Sequence, residues 1–101
     1  MEYRQERKIE QYLSSSIKKI GGYAMKITSP GMAGVPDRLV LVNRMAVFVE
    51  LKAPGRKPTE RQLAIHRYLG RLGFPVHVID SMHGVDCLVR ELSNNSSCNT
   101  D

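Results

Sequence analysis

An α/β fold on a mixed four-stranded sheet is what this sequence predicts, and three observations predict it. Apolar residues recur at helical spacing near the N-terminus. Two β-rich runs, Arg38–Val42 and Met45–Leu51, are separated by Asn43 and Arg44 alone. The whole chain then reads as helix, three strands, helix, strand, helix, with no internal repeat.

Each element has its own warrant. From about Arg4 to Ile20 the apolar positions Ile9, Leu13, Ile17 and Ile20 line one helix face, and Gly21-Gly22 ends it. Tyr23 to Thr28 reads as a first strand. Ser29 to Pro36 is rich in turn formers and reads as a loop. The two central runs form a tight hairpin around Asn43-Arg44. Their near-continuous apolar character predicts strands covered on both faces. Ala53 to Pro58 is a basic loop. A helix is expected from Thr59 to about Leu72, stopped by Gly73, then a short strand over Val76–Ile79. A last helix spans Met82 to Leu92, with Val85, Leu88, Val89 and Leu92 on its apolar face. One domain, residues 1–92, is expected, and the polar stretch 93–101 reads as a disordered tail.

Bulk properties narrow the function. At 101 residues and 42% hydrophobic, the chain suffices for one compact domain with a modest core. No run approaches the ~18 apolar residues of a membrane span, and the charged start MEYRQERKIE lacks the apolar core of a secretory signal. Cys87 and Cys98 read as free thiols of a reducing, cytoplasmic compartment. His66, His77 and His83 show no ligand spacing, and His77, alternating with Val76 and Val78, reads as structural. Lysine and arginine outnumber aspartate and glutamate 15 to 10, a net charge of +5 that favours an anionic partner such as nucleic acid.

The hairpin carries the chemical argument. If Val42 faces Met45 across a two-residue turn, stepping back along both strands brings Asp37 opposite Glu50. Opposed residues have Cβ atoms about 4.5–5.5 Å apart and share a face. Two carboxylates so placed repel unless a cation lies between them, and a hard divalent ion is the simplest one. Lys52, two residues beyond Glu50, falls on the same face.

These residues resemble a known family. Gly34-Val35-Pro36-Asp37 followed by Val47-Phe48-Val49-Glu50-Leu51-Lys52 is similar to the PD-(D/E)xK nuclease superfamily. Ser29-Pro30-Gly31 before the first motif, Ala53-Pro54-Gly55 after the second and the later Gln62 resemble the VRR-NUC domain, over about Glu6 to Ile79. The resemblance implies a restriction-endonuclease-like core and Mg²⁺- or Mn²⁺-dependent hydrolysis of phosphodiester bonds in DNA. For stand-alone bacterial and phage members, acting in the cytoplasm of a bacterial host, it further implies a homodimer that cuts branched DNA such as four-way junctions. Asp37, Glu50 and the carbonyl of Leu51 become the metal ligands. Lys52 becomes the residue that positions or helps deprotonate the attacking water and stabilises charge on the phosphate.

Other positions support this set. The family carries a glutamate on its first helix, and Glu6 and Glu10 both qualify. Glu6 lies about 20° from Leu13 around the helix and Glu10 about 60°, and Glu6 also stands three residues before the apolar Ile9, so Glu6 is preferred. Gln62 matches the family's glutamine, while Thr59-Glu60-Arg61-Gln62 also fits a helix capping box. Arg56, Lys57 and Arg61 suit phosphate contacts. Two other functions compete: a catalytically silent nucleic-acid-binding module of the same fold, and a structural or inhibitor-like α/β protein with an incidental motif. The intact Asp37, Glu50 and Lys52 argue against silence, and a metal-binding titration separates the nuclease from the structural protein.

Overall fold

The computed structural model describes residues 2–98. Seven elements follow in the expected order: α1 (Glu2–Lys19), β1 (Tyr23–Lys26), β2 (Arg38–Val42), β3 (Met45–Leu51), α2 (Glu60–Arg71), β4 (Val76–Ile79) and α3 (Met82–Cys98). The strands form one sheet in the order β1-β2-β3-β4, antiparallel at the first two junctions and parallel between β3 and β4. The parallel pair is possible because α2 lies between its strands and carries the chain back across the sheet.

The β2–β3 hairpin has the predicted register. Val42 pairs with Met45 and Arg38 with Val49. Asn43 and Arg44 both take positive φ, at 51° and 66°, the pattern of the type I′ turn that matches the twist of paired strands. β1 is shorter than expected and ends at Lys26, although the Ile27 N–H still donates to the Asp37 carbonyl at 2.8 Å.

One face of the sheet carries the main core. Ile9, Leu13 and Ile17 of α1 and Val85, Leu88 and Leu92 of α3 are buried together with Val40, Val42, Val49, Leu51 and Ile79 of the strands. The apolar stripe read from the sequence is the buried stripe of α1. The Tyr12 hydroxyl donates to Asp86 at 2.6 Å and ties α1 to α3. The opposite face is covered less completely. Leu39 and Leu41 are half-buried where Arg38, Val40 and Val42 are buried, so the expectation of strands enclosed on both faces does not hold. A β2–β3 pair with one helix beyond it on that side cannot be sealed as α1 and α3 seal the other.

The last helix also corrects an expectation. α3 runs beyond the expected end at Leu92 and continues to Cys98. No glycine or proline interrupts Ser93–Cys98, and lengthening an existing helix avoids the cost of nucleating one. Residues 99–101 lie outside the described residues. Cys87 is a free, exposed thiol. Among the described residues no helix is long and apolar enough to cross a membrane.

Candidate active site

Pleating divides β3 between two environments. Val49 and Leu51 point into the core beneath α1 and α3, so Glu50 points to the other face, where α2 lies. It is nonetheless 2% exposed, an ionisable side chain enclosed almost as completely as the core. Continuing the β2–β3 register by one position places Asp37 opposite it. The Asp37 Oδ2 accepts from the Leu51 N–H at 2.9 Å, which holds the loop before β2 against the end of β3. Lys52 emerges on the Glu50 face with its Nζ 3.6 Å from Glu50 Oε2. The acid pair and the lysine are thus brought together by the hairpin and the pleat, as the spacing predicts.

α2 contributes from the other side. Thr59 caps it, and the capping box is complete: the Gln62 N–H donates to Thr59 Oγ1 at 3.1 Å and the Thr59 N–H to Gln62 Oε1 at 2.8 Å. That leaves the Gln62 amide nitrogen, which donates to Glu50 Oε2 at 3.0 Å. Gln62 therefore acts as helix cap and carboxylate ligand at once. The loop carrying Asp37 is seated on the same helix. Gly34 has φ +90°, and a Cβ there would lie 3.1 Å from the Arg61 carbonyl oxygen and from Ile65 Cγ1.

α1 closes the third side. Glu6, Arg7 and Glu10 share a cleft with Lys26, Asp37, Arg38 and Leu51. Both candidate glutamates reach it, but they differ in their partners. Glu10 forms an ion pair with Arg38, whereas Glu6 adds negative field at Glu50. Arg38 is a residue the sequence reading passed over. It is 6% exposed, and its guanidinium also donates to the Asp37 carbonyl at 3.0 Å. Burial lowers its pKa, and the charge of Glu6 opposes that. The signal was present: Arg38 alternates with Val40 and Val42 on the apolar face, and a buried cation there needs an anion from α1. Arg56 and Lys57 are exposed on the loop that follows Lys52, and Arg61 is exposed on the first turn of α2.

The electrostatics follow from burial. Loss of solvent raises the Glu50 pKa to about 7, the Asp37 charge adds to the rise, and Lys52 opposes it. Glu50 Oε1 has no hydrogen-bond partner, a state that costs about 1–3 kcal/mol for a buried polar atom. Facing it at 3.9 Å is His66 Nε2, also buried and unpartnered. Burial, and then the charge of Lys52, hold the His66 imidazole below its usual pKa. His77, half-buried, lies instead on the core-side face, 4.0 Å from Glu91. Among the described residues no three His, Cys, Asp or Glu side chains form a group able to hold a metal ion by themselves. The oxygen donors brought together here are the carboxylates of Asp37 and Glu50, hard ligands of the kind that suit an ion that keeps waters and takes phosphate oxygens.

No family model matches the chain. A protein of Acyrthosiphon pisum secondary endosymbiont phage 1 named "Putative nuclease p44" is 56% identical over 77 residues, covering 75% of this chain and 83% of the relative. A solved structure described as a VRR_NUC domain superposes with a TM-score of 0.79 at 32% identity, covering 85% of this chain and 95% of the other. Identity at that level across most of both sequences, joined to a shared architecture, means that the chain belongs to the VRR-NUC nucleases of the PD-(D/E)xK fold.

Proposed function

We propose that the protein is a Mg²⁺- or Mn²⁺-dependent DNA endonuclease that acts on branched DNA as a homodimer. The observation that carries the reading is Glu50: a buried carboxylate opposite Asp37, one oxygen held by Gln62, the other without a hydrogen-bond partner, and Lys52 beside it. An acid held in this state gains from a divalent cation what it lost with solvent. Asp37, Glu50 and the Leu51 carbonyl are the residues that would hold the ion. When bound, such an ion acidifies a water and polarises a phosphoryl oxygen.

The chain's own groups do the rest. Gln62 anchors one oxygen of the Glu50 carboxylate. The Lys52 ammonium donates to the attacking water or to a phosphate oxygen and balances charge as it builds there. Glu6 supplies a further acid on the cleft wall. Arg56, Lys57 and Arg61 offer phosphate contacts that set the register of the strand without reading its bases.

The test is cleavage of a panel of linear, flapped and four-way DNA with Mg²⁺, Mn²⁺ or EDTA, alongside Asp37→Asn. Asparagine keeps an oxygen able to accept from the Leu51 N–H, so the variant is expected to fold and to lose activity. Full cleavage in excess EDTA overturns metal dependence. Equal cleavage of linear and branched substrates overturns the structure preference.

A further inference from the structure

His66 is a buried group that the reading above leaves without a task. Its side chain is 9% exposed, on α2, four residues after Gln62. Residues so spaced lie on one helix face, and both approach the same carboxylate: Gln62 Nε2 meets Glu50 Oε2 at 3.0 Å and His66 Nε2 lies 3.9 Å from Glu50 Oε1. Oε1 and Nε2 are each sealed from solvent and each without a hydrogen-bond partner. One is an acceptor and the other can donate in either charge state of the ring. Closing the gap to hydrogen-bond length takes a shift of about 1 Å.

We propose that His66 is a positioning residue for Glu50, donating from Nε2 to Oε1 in the working site so that one turn of α2 holds both oxygens of the carboxylate. The inference rests on Glu50 being a working residue of the nuclease site. With Gln62 alone, the carboxylate can still rotate about its one anchored oxygen. With both, its plane and tilt are set relative to Asp37. The geometry resembles the outer-sphere support that ligating carboxylates commonly receive, whose loss costs about 10- to 100-fold in metal affinity or activity.

Two variants separate positioning from filling space. His66→Leu keeps an apolar body and removes the donor. His66→Gln returns an amide N–H near the place of Nε2. His66→Leu is expected to lower kcat about 10- to 100-fold with KM for DNA unchanged, and to weaken Mn²⁺ binding measured by calorimetry. His66→Gln is expected to recover most of both losses. A readout free of metal and substrate comes from NMR of the ¹⁵N-labelled protein. The His66 Nε2 proton should appear as a slowly exchanging low-field signal that is lost in Glu50→Leu. If the wild type cleaves nothing with any ion, the nuclease reading fails, and the imidazole signal still decides the contact. The proposal is overturned if that signal is absent from the wild type or persists in Glu50→Leu. It is equally overturned if His66→Leu matches the wild type, or if His66→Gln is as impaired as His66→Leu.

Discussion

Glu50 and its surroundings make a prediction at the level of one side chain. An unfolded glutamate titrates near 4.5, and Glu50 in the folded protein near 7, chiefly because burial disfavours its charged form. Between those values the folded chain retains a proton that the unfolded chain releases. Stability of the metal-free protein should therefore fall as pH rises from about 4.5 to about 7 and level off above that. The scale is about 1.4 kcal/mol per tenfold change in proton affinity. Glu50→Gln should remove that part of the slope and leave the metal-free protein more stable than the wild type at pH 8. Denaturant titrations across this range check it, and parallel profiles for the two proteins would falsify it. Divalent ions should bind more tightly as pH rises over the same interval, because the ligand must be ionised.

Elements differ in how far they could be read beforehand. The β2–β3 hairpin was legible because Asn43 and Arg44 leave no room for another register, and the position of Asp37 opposite Glu50 follows from that alone. Gln62 was legible in both roles, because Thr59-x-x-Gln62 marks a helix start and the family's glutamine falls on it. Arg38 and His66 were not read as site residues. Alternation marks Arg38 as a cation on the buried face, but the partners that give both residues their meaning, Glu10 of α1 and Glu50 of β3, lie on other elements, and periodicity does not say which residue meets which. The end of α3 lies past Leu92, where the apolar periodicity stops, because an existing helix can run on through serine and asparagine. The loop-to-helix contact at Gly34 supplies the prediction at this scale. Gly34→Ala places a side chain at φ +90° against the Arg61 carbonyl and Ile65. It should cost more than about 1 kcal/mol of stability and reduce cleavage further than stability alone explains, since Asp37 rides on the same loop. Cleavage that simply tracks the folded fraction would sink the second half.

At the scale of the whole molecule the proposed function makes a prediction about assembly. Cutting a four-way junction on both sides takes two opposed sites, most simply those of a twofold dimer. The apolar stripes of α1 and α3 are buried within the protomer's own core, and the large apolar side chains left exposed include Tyr23 and Met25 on the edge strand β1 and Tyr68, Leu72 and Phe74 at the end of α2. Light scattering at micromolar concentration should show a dimer. A monomer both free and on junction DNA would instead favour nicking or flap cleavage by a single site.

The lightly anchored α2 has a consequence for how the protein fails. No residue of α2 is wholly buried, even His66 being enclosed only at its ring, yet the helix carries Gln62, which grips the Glu50 carboxylate, and it seats the loop that bears Asp37. The proposed site is thus mounted in part on an element less deeply rooted than α1 and α3. Local opening should release α2 before the sheet gives way. Amides of Leu63–Leu69 should exchange with solvent faster than those of β2 and β3. Cleavage should vanish at a denaturant concentration that leaves the hairpin intact, so that a chain still native by its strand signals is already inert. Coincident loss of activity and of sheet structure would show that α2 and the sheet open as one unit.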